Sequence, residues 1–154
     1  MSQLRILNIV LNNRKKELTL TYSNKKKITV HYGQIGIISN LRNATVDPES
    51  SGHAFVLEKE DGKREFVPYD VPLLLSKDPD YLYQTEIEEL IADIKLKMRE
   101  KGISKKYLAR QLKTSDMQVE RLLNPNIINK NFEQLHYIAY ILGMNLYFEM
   151  KKAA

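Results

Sequence analysis

Cysteine is absent from all 154 residues, which excludes a disulfide framework, a Cys-ligated zinc and thiol catalysis. The absence suits a reducing compartment, and the cytoplasm is the expected location. Long apolar runs are missing too. No stretch approaches the roughly 18 residues of a membrane span, and the first twenty residues carry Asn, Arg and Lys where a signal peptide needs an unbroken apolar region. No membrane partner is expected. His31, His53 and His136 lie far apart with no carboxylate or second His at ligand spacing, so surface or core roles outweigh metal binding or base catalysis. Gly33-x-x-Gly36 is too short for a phosphate loop. Ser50-Ser51-Gly52 reads most simply as a loop, and no Gly-x-Ser-x-Gly, Walker or paired-carboxylate motif occurs. The expectation is a protein that is not an enzyme and needs no cofactor or metal.

What is present has a globular balance. Lys and Arg number 24 against 19 Asp and Glu, a formal charge of +5, with 43% hydrophobic residues; a disordered tail would be poorer in apolar residues. At roughly 100 to 200 residues per domain the chain holds one domain or two small ones, and its apolar spacing favours two. From Leu4 to Tyr69 the spacing is strand-like. Leu18, Leu20 and Tyr22 alternate with Thr19 and Thr21, and Ile28, Val30 and Tyr32 with Thr29 and His31, which predicts a hairpin. Asp61-Gly62 predicts a second hairpin joining Ala54 to Leu57 with Arg64 to Val67. A strand from Ile6 to Leu11 brings the expected total to about five. Asn40 to Gly52 repeats at neither period 2 nor 3.6 and reads as a polar loop.

After Pro68, Pro72 and Pro79 the period becomes helical, which places a boundary near Lys77. Thr85-Glu86-Ile87-Glu88 has the form of a capping box, and Ile87, Leu90, Ile91, Ile94 and Met98 then make one stripe up to Gly102. Further helices are predicted to open at Ser104, at Ser115 and at Asn131, the last closed by Gly143. Asn145 to Met150 alternates in the manner of a short strand. The expected class is α+β: a small antiparallel β-domain over 1–77, then a helical domain over 78–154 ending in that strand.

The most informative stretch is ISKKYLARQLKTSDMQVERLLN, Ile103 to Asn124, which predicts two short helices about three residues apart, as a helix-turn-helix requires. It resembles the lambda-repressor/Cro helix-turn-helix family. Leu108-Ala109 matches the inside of the second helix, Ser115 the start of the recognition helix, and Val119 and Leu122 its core anchors. The helix from Asn131 to Leu142-Gly143 matches the family's supporting helix. The whole chain is also similar to an uncharacterised prokaryotic family of predicted regulators with a small β-rich domain ahead of such a motif, and NPNIINKNFEQLHYIAYILGMNL is part of that likeness. The resemblance implies a lambda-repressor-like helical bundle that binds double-stranded DNA sequence-specifically and regulates transcription, with helix 115–123 in the major groove. Lys113 departs from the pattern, standing where the family's turn often has Gly.

Helical geometry then names the residues. With Val119 inward, Met117, Arg121 and Asn124 fall on the outward stripe, positioned to reach base edges. Arg121 can donate twice to guanine, and Met117 can touch a thymine methyl. Ser115-x-x-Gln118 is a capping-box pattern, so the Gln118 amide either folds back onto the backbone or reads a base. Asp116 and Glu120 oppose a polyanion, yet Lys95 to Lys130 carries ten Lys and Arg against three acids, a net of +7, while Asp80 to Ile94 nets −5. That asymmetry would steer and orient DNA. Lys105, Lys106 and Lys130 are the expected phosphate contacts, with Ser115 and Asn131 adding helix-start amides. The Lys25-Lys26-Lys27 turn reads as a charged hairpin tip, and Tyr81, Tyr83, Tyr137, Tyr140 and Tyr147 as core or interface aromatics.

One such helix reads only a few base pairs, so a homodimer on two half-sites is expected, with the strand Leu146 to Met150 as a candidate for the pairing or, alternatively, for joining the N-terminal sheet. The N-terminal domain would be a sensor of an effector, a docking surface for a small protein partner, or a spacer. The competing expectation is an antitoxin-like or other protein-binding module whose helix-turn-helix is autoregulatory or degenerate.

Overall fold

Residues 4–152 are described by a computed structural model. Leu18, Leu20 and Tyr22 alternate with threonines, so extended backbone puts all three on one face, and all three are buried. They lie on β2 (Glu17–Tyr22), which is hydrogen-bonded between β1 (Ile6–Asn12) and β3 (Lys27–His31) in an antiparallel sheet. On its outer face Thr19 and Thr29 share a side-chain hydrogen bond of 2.9 Å. A second antiparallel sheet has the order β4 (Leu41–Val46), β5 (Ala54–Lys59), β6 (Arg64–Pro68). Phe55, Leu57 and Val67 from it, with Leu73 of the short helix α1 (Val71–Leu75), complete one apolar core. Each such side chain contributes roughly 1.5 to 3 kcal/mol.

The segment 40–52, expected to be a loop, contains β4. The reason is a register shift between Leu41 and Asn43 in its pairing with β5. The extra residue spaces the inward side chains, Leu41 and Ala44, three apart instead of two, which hides the alternation. The described residues thus hold six strands instead of five. Where this segment rejoins β5, the Ile6 amide donates to the Gly52 carbonyl at 2.8 Å. A Cβ on Gly52 would lie 3.0 Å from the Ile6 oxygen and its φ is +88°, so only glycine suits the position.

Contacts divide the chain into two units, 4–82 and 83–152, and α2 (Pro79–Lys101) runs across that division. This helix starts six residues before the expected capping box, and Thr85 lies inside it. Its cap is Asp78, whose Oδ2 accepts from the Tyr81 amide at 2.9 Å, with Pro79 as the first helical residue. Asp78 is buried, and its other oxygen is ion-paired to Lys26 at the β2–β3 turn; Lys26 also reaches Asp80 at 2.9 Å. The hairpin tip is thus spent within its own unit.

In the second unit, Ile87, Ile91, Ile94 and Met98 of α2 meet α3 (Lys105–Leu112), α4 (Asp116–Leu122) and α5 (Phe132–Ile141) around Leu108, Val119, Leu122, Leu135 and Ile138. The expected strand 145–150 is absent. The segment is irregular, with Leu146 packed on the core and the Phe148 ring edge-on to Phe132 at 5.3 Å. Alternation there reflects two side chains settling on a helical surface, not a strand partner. Among the described residues, no helix is long and apolar enough to cross a membrane.

Burial opposes the charge on Asp78, but the Lys26 ammonium and the Tyr81 and Asp80 amides outweigh it and hold the carboxyl below its ordinary 3.8. The unfolded chain therefore binds more protons in that acidic window, and stability is lost as pH falls through the lowered value. Asp78→Asn should flatten this acid limb in denaturant titrations. Asp78→Ala, which also removes the cap, should cost about 2 kcal/mol at neutral pH.

Candidate nucleic-acid interface

Three helices of the second unit end the same way. After α2 the Gly102 amide bonds to Arg99 and the Ile103 amide to Met98; after α5 Gly143 and Met144 bond back to Tyr140 and Ala139. After α3 the amides of Lys113 and Thr114 do likewise, to Arg110 at 3.2 Å and Ala109 at 3.0 Å. This two-bond closure needs a left-handed residue. Lys113 adopts it with φ 53° and ψ 45°, at a cost of roughly 1 to 2 kcal/mol that glycine would avoid. The chain turns sharply here despite the lysine.

Ser104 caps α3 through its Oγ and the Tyr107 amide, and Ala109 is buried where α3 meets its neighbours. Three residues beyond α3, Ser115 caps α4 by accepting from the Gln118 amide at 3.1 Å. Val119, Leu122 and Leu123 are buried beneath α4, while Met117 is 74% exposed and Arg121 is exposed beside it. Asp116 and Glu120 are exposed too.

Several residues read from the sequence as DNA contacts have partners within the protein. Lys130 is only 8% exposed, and its ammonium donates to the carbonyls of Arg121 at 2.7 Å and Asn124 at 2.6 Å. It closes the C-terminal end of α4, so the ammonium read from the sequence as a phosphate contact is held inside the protein. Burial, then the nearby charge of Lys95, pushes its pKa below the ordinary lysine value. Asn124, expected on the outward stripe, is half-buried, with its Oδ1 accepting from the Asn126 amide. That bond shapes the turn after α4 and engages the amide oxygen read from the sequence as a base contact. Lys105 is ion-paired to both carboxylate oxygens of Glu120, at 2.8 and 2.9 Å. Such an exposed pair is worth about 0 to 1 kcal/mol, so a phosphate can displace the carboxylate. Lys106 is exposed and has no ion pair among the described residues.

The side chains of Ser115 and Asn131 serve as helix caps, Asn131 accepting from the Gln134 amide at 3.1 Å. The Gln118 amide turns neither back to its own cap nor freely outward; its Nε2 donates to Gln134 Oε1 at 2.7 Å. Gln118, Arg121, Lys130 and Asn131 line one polar cleft of about 350 Å³ together with Asn129. Met117 stands apart on the exposed face. Asn129 and Gln134 were not singled out from the sequence, although Asn131-x-x-Gln134 repeats the pattern of Ser115-x-x-Gln118 and could have flagged the second glutamine. Among the described residues no three acidic or histidine side chains gather into a metal-binding group.

Replacing Lys130 with Met would remove a charged donor from two carbonyls at the end of α4, leaving Arg121 the Asn124 amide and Asn124 the Ile127 amide, at a cost of about 1 to 3 kcal/mol in chemical denaturation. Because the folded pKa is lowered, the unfolded chain binds more protons just below the ordinary lysine range. Stability owed to this group therefore rises with pH there, and the Met variant should lack that increment.

Family models, curated proteins and solved structures all fail to match this chain.

Proposed function

We propose that unit 83–152 is a helix-turn-helix of the lambda-repressor/Cro type, that it binds double-stranded DNA sequence-specifically, and that the protein is a transcriptional regulator. The observation that carries the reading is the two-sidedness of α4. Val119, Leu122 and Leu123 grip the core while Met117 and Arg121 project into solvent on the opposite side. A helix about 10 to 12 Å across fits a major groove about 12 Å wide, and its outward side chains meet base edges. Arg121 then donates its fork to guanine and Met117 packs on a thymine methyl. Lys106 contacts phosphate directly, and Lys105 does so by exchanging Glu120 for a phosphate oxygen. Two copies on half-sites about 34 Å apart would supply useful specificity.

A protein-binding role, antitoxin-like or otherwise, is favoured by a different observation: Tyr137, Tyr140, Tyr147 and Phe148 are all exposed on α5 and the segment after it. The two readings separate in one experiment. Selection from random duplexes with purified protein should enrich a single motif, and Arg121→Ala should lose preference at one guanine, worth about 1 to 3 kcal/mol. A pool that stays random would leave only the protein-binding role.

Phosphate neutralisation has its own signature. With about three to five contacts per protomer, log affinity should fall against log salt with a slope of roughly −3 to −5. Lys106→Ala should make that slope shallower by about 1 without altering the motif. Binding that ignores salt would overturn the assignment.

A further inference from the structure

Helices α4 and α5 open alike, each with a capping residue, Ser115 or Asn131, and a glutamine three positions on. In a capping box that third side chain turns back to the amide of its own cap. Here the two glutamines meet instead, Gln118 Nε2 donating to Gln134 Oε1 at 2.7 Å, and each cap is served only by the glutamine's backbone amide. This bond joins α4 to α5. It also consumes one of the two N–H groups of the Gln118 amide, which fixes how that amide faces. One N–H and the carbonyl oxygen remain.

Those two groups match adenine. Its major-groove edge presents an acceptor, N7, beside a donor, N6–H, and a primary amide meets both at once. Gln118 lies three residues before Arg121, so the two share a helical face, and both line the same polar cleft. We propose that Gln134 is a positioning residue that holds the Gln118 amide in the orientation for adenine, beside the guanine taken by Arg121. Gln134 touches no base itself. A glutamine on a flexible stem discriminates poorly, because several amide orientations compete; a partner on a packed helix removes all but one. This assignment rests on the DNA-binding reading above.

The test is duplex selection with the full chain and its Gln134→Leu, Gln134→Glu and Gln118→Ala variants, each checked for an intact thermal transition. Wild type should favour adenine at one position next to the Arg121 guanine by roughly 5- to 150-fold. Gln134→Leu and Gln118→Ala should both lose that one preference and leave the guanine preference in place. Gln134→Glu keeps an oxygen for the Gln118 donor, so it should retain the adenine preference, while its charge weakens binding to all sequences alike. A wild-type motif that survives Gln134→Leu would overturn the assignment and leave the DNA reading intact. So would a uniform loss at every position, the mark of a merely structural tie. A wild-type pool without any motif would overturn both.

Discussion

A helix of seven residues does not persist alone in water, because too few hydrogen bonds form to offset its nucleation. Everything that α4 presents on its outer face therefore depends on what grips its inner face and two ends. Val119, Leu122 and Leu123 supply the inner grip, each buried among residues of α2, α3 and α5. Ser115 closes the first turn, and the Lys130 ammonium gathers two carbonyls at the other end. A lysine can do this because its stem is apolar and long enough to pass beneath the helix. The exposed pair Met117 and Arg121 is thus held by a cage of contacts that faces entirely inward.

The same cage changes the meaning of the charges. Counted along the chain, the stretch from Lys95 to Lys130 is strongly basic, and Asp116 and Glu120 look like obstacles to a polyanion. In space, Glu120 is met by Lys105 and Lys130 is withdrawn from solvent. With Glu100 met by Lys97 as well, two acids and three bases are occupied internally, so Lys106 and the other exposed bases carry the free positive charge. The first unit behaves alike, since Lys26 of a triple-lysine turn pairs with the residue that caps α2. Ionic groups at these two places secure helix ends.

Backbone demands were met unevenly by the residues available. Gly102 and Gly143 take the left-handed position after α2 and α5, while Lys113 takes it after α3 without their freedom. Thr114 completes the closing pair of bonds, and these, with the buried Leu108 and Ala109, hold the turn that brings α4 against α3.

Much of this was legible in the linear chain because its causes are local. Alternation in Leu18–Tyr22 and Ile28–Val30, the stripe Ile87 to Met98, and the caps Ser104, Ser115 and Asn131 each depend on neighbours within four residues, as do helix and strand periods. The failures came where a distant partner intervened. A bulge against β5 masked β4, Lys26 from the β2–β3 turn backs the Asp78 cap that starts α2 ahead of a tempting Thr85, and the alternating tail found a helical surface instead of a strand. By itself the sequence determined the order of elements, the inward faces and the outward placing of Met117 and Arg121. Only tertiary structure decided which polar groups remain free, because Lys105, Gln118 and Lys130 differ by what lies across from them, and that proximity is set by packing between elements.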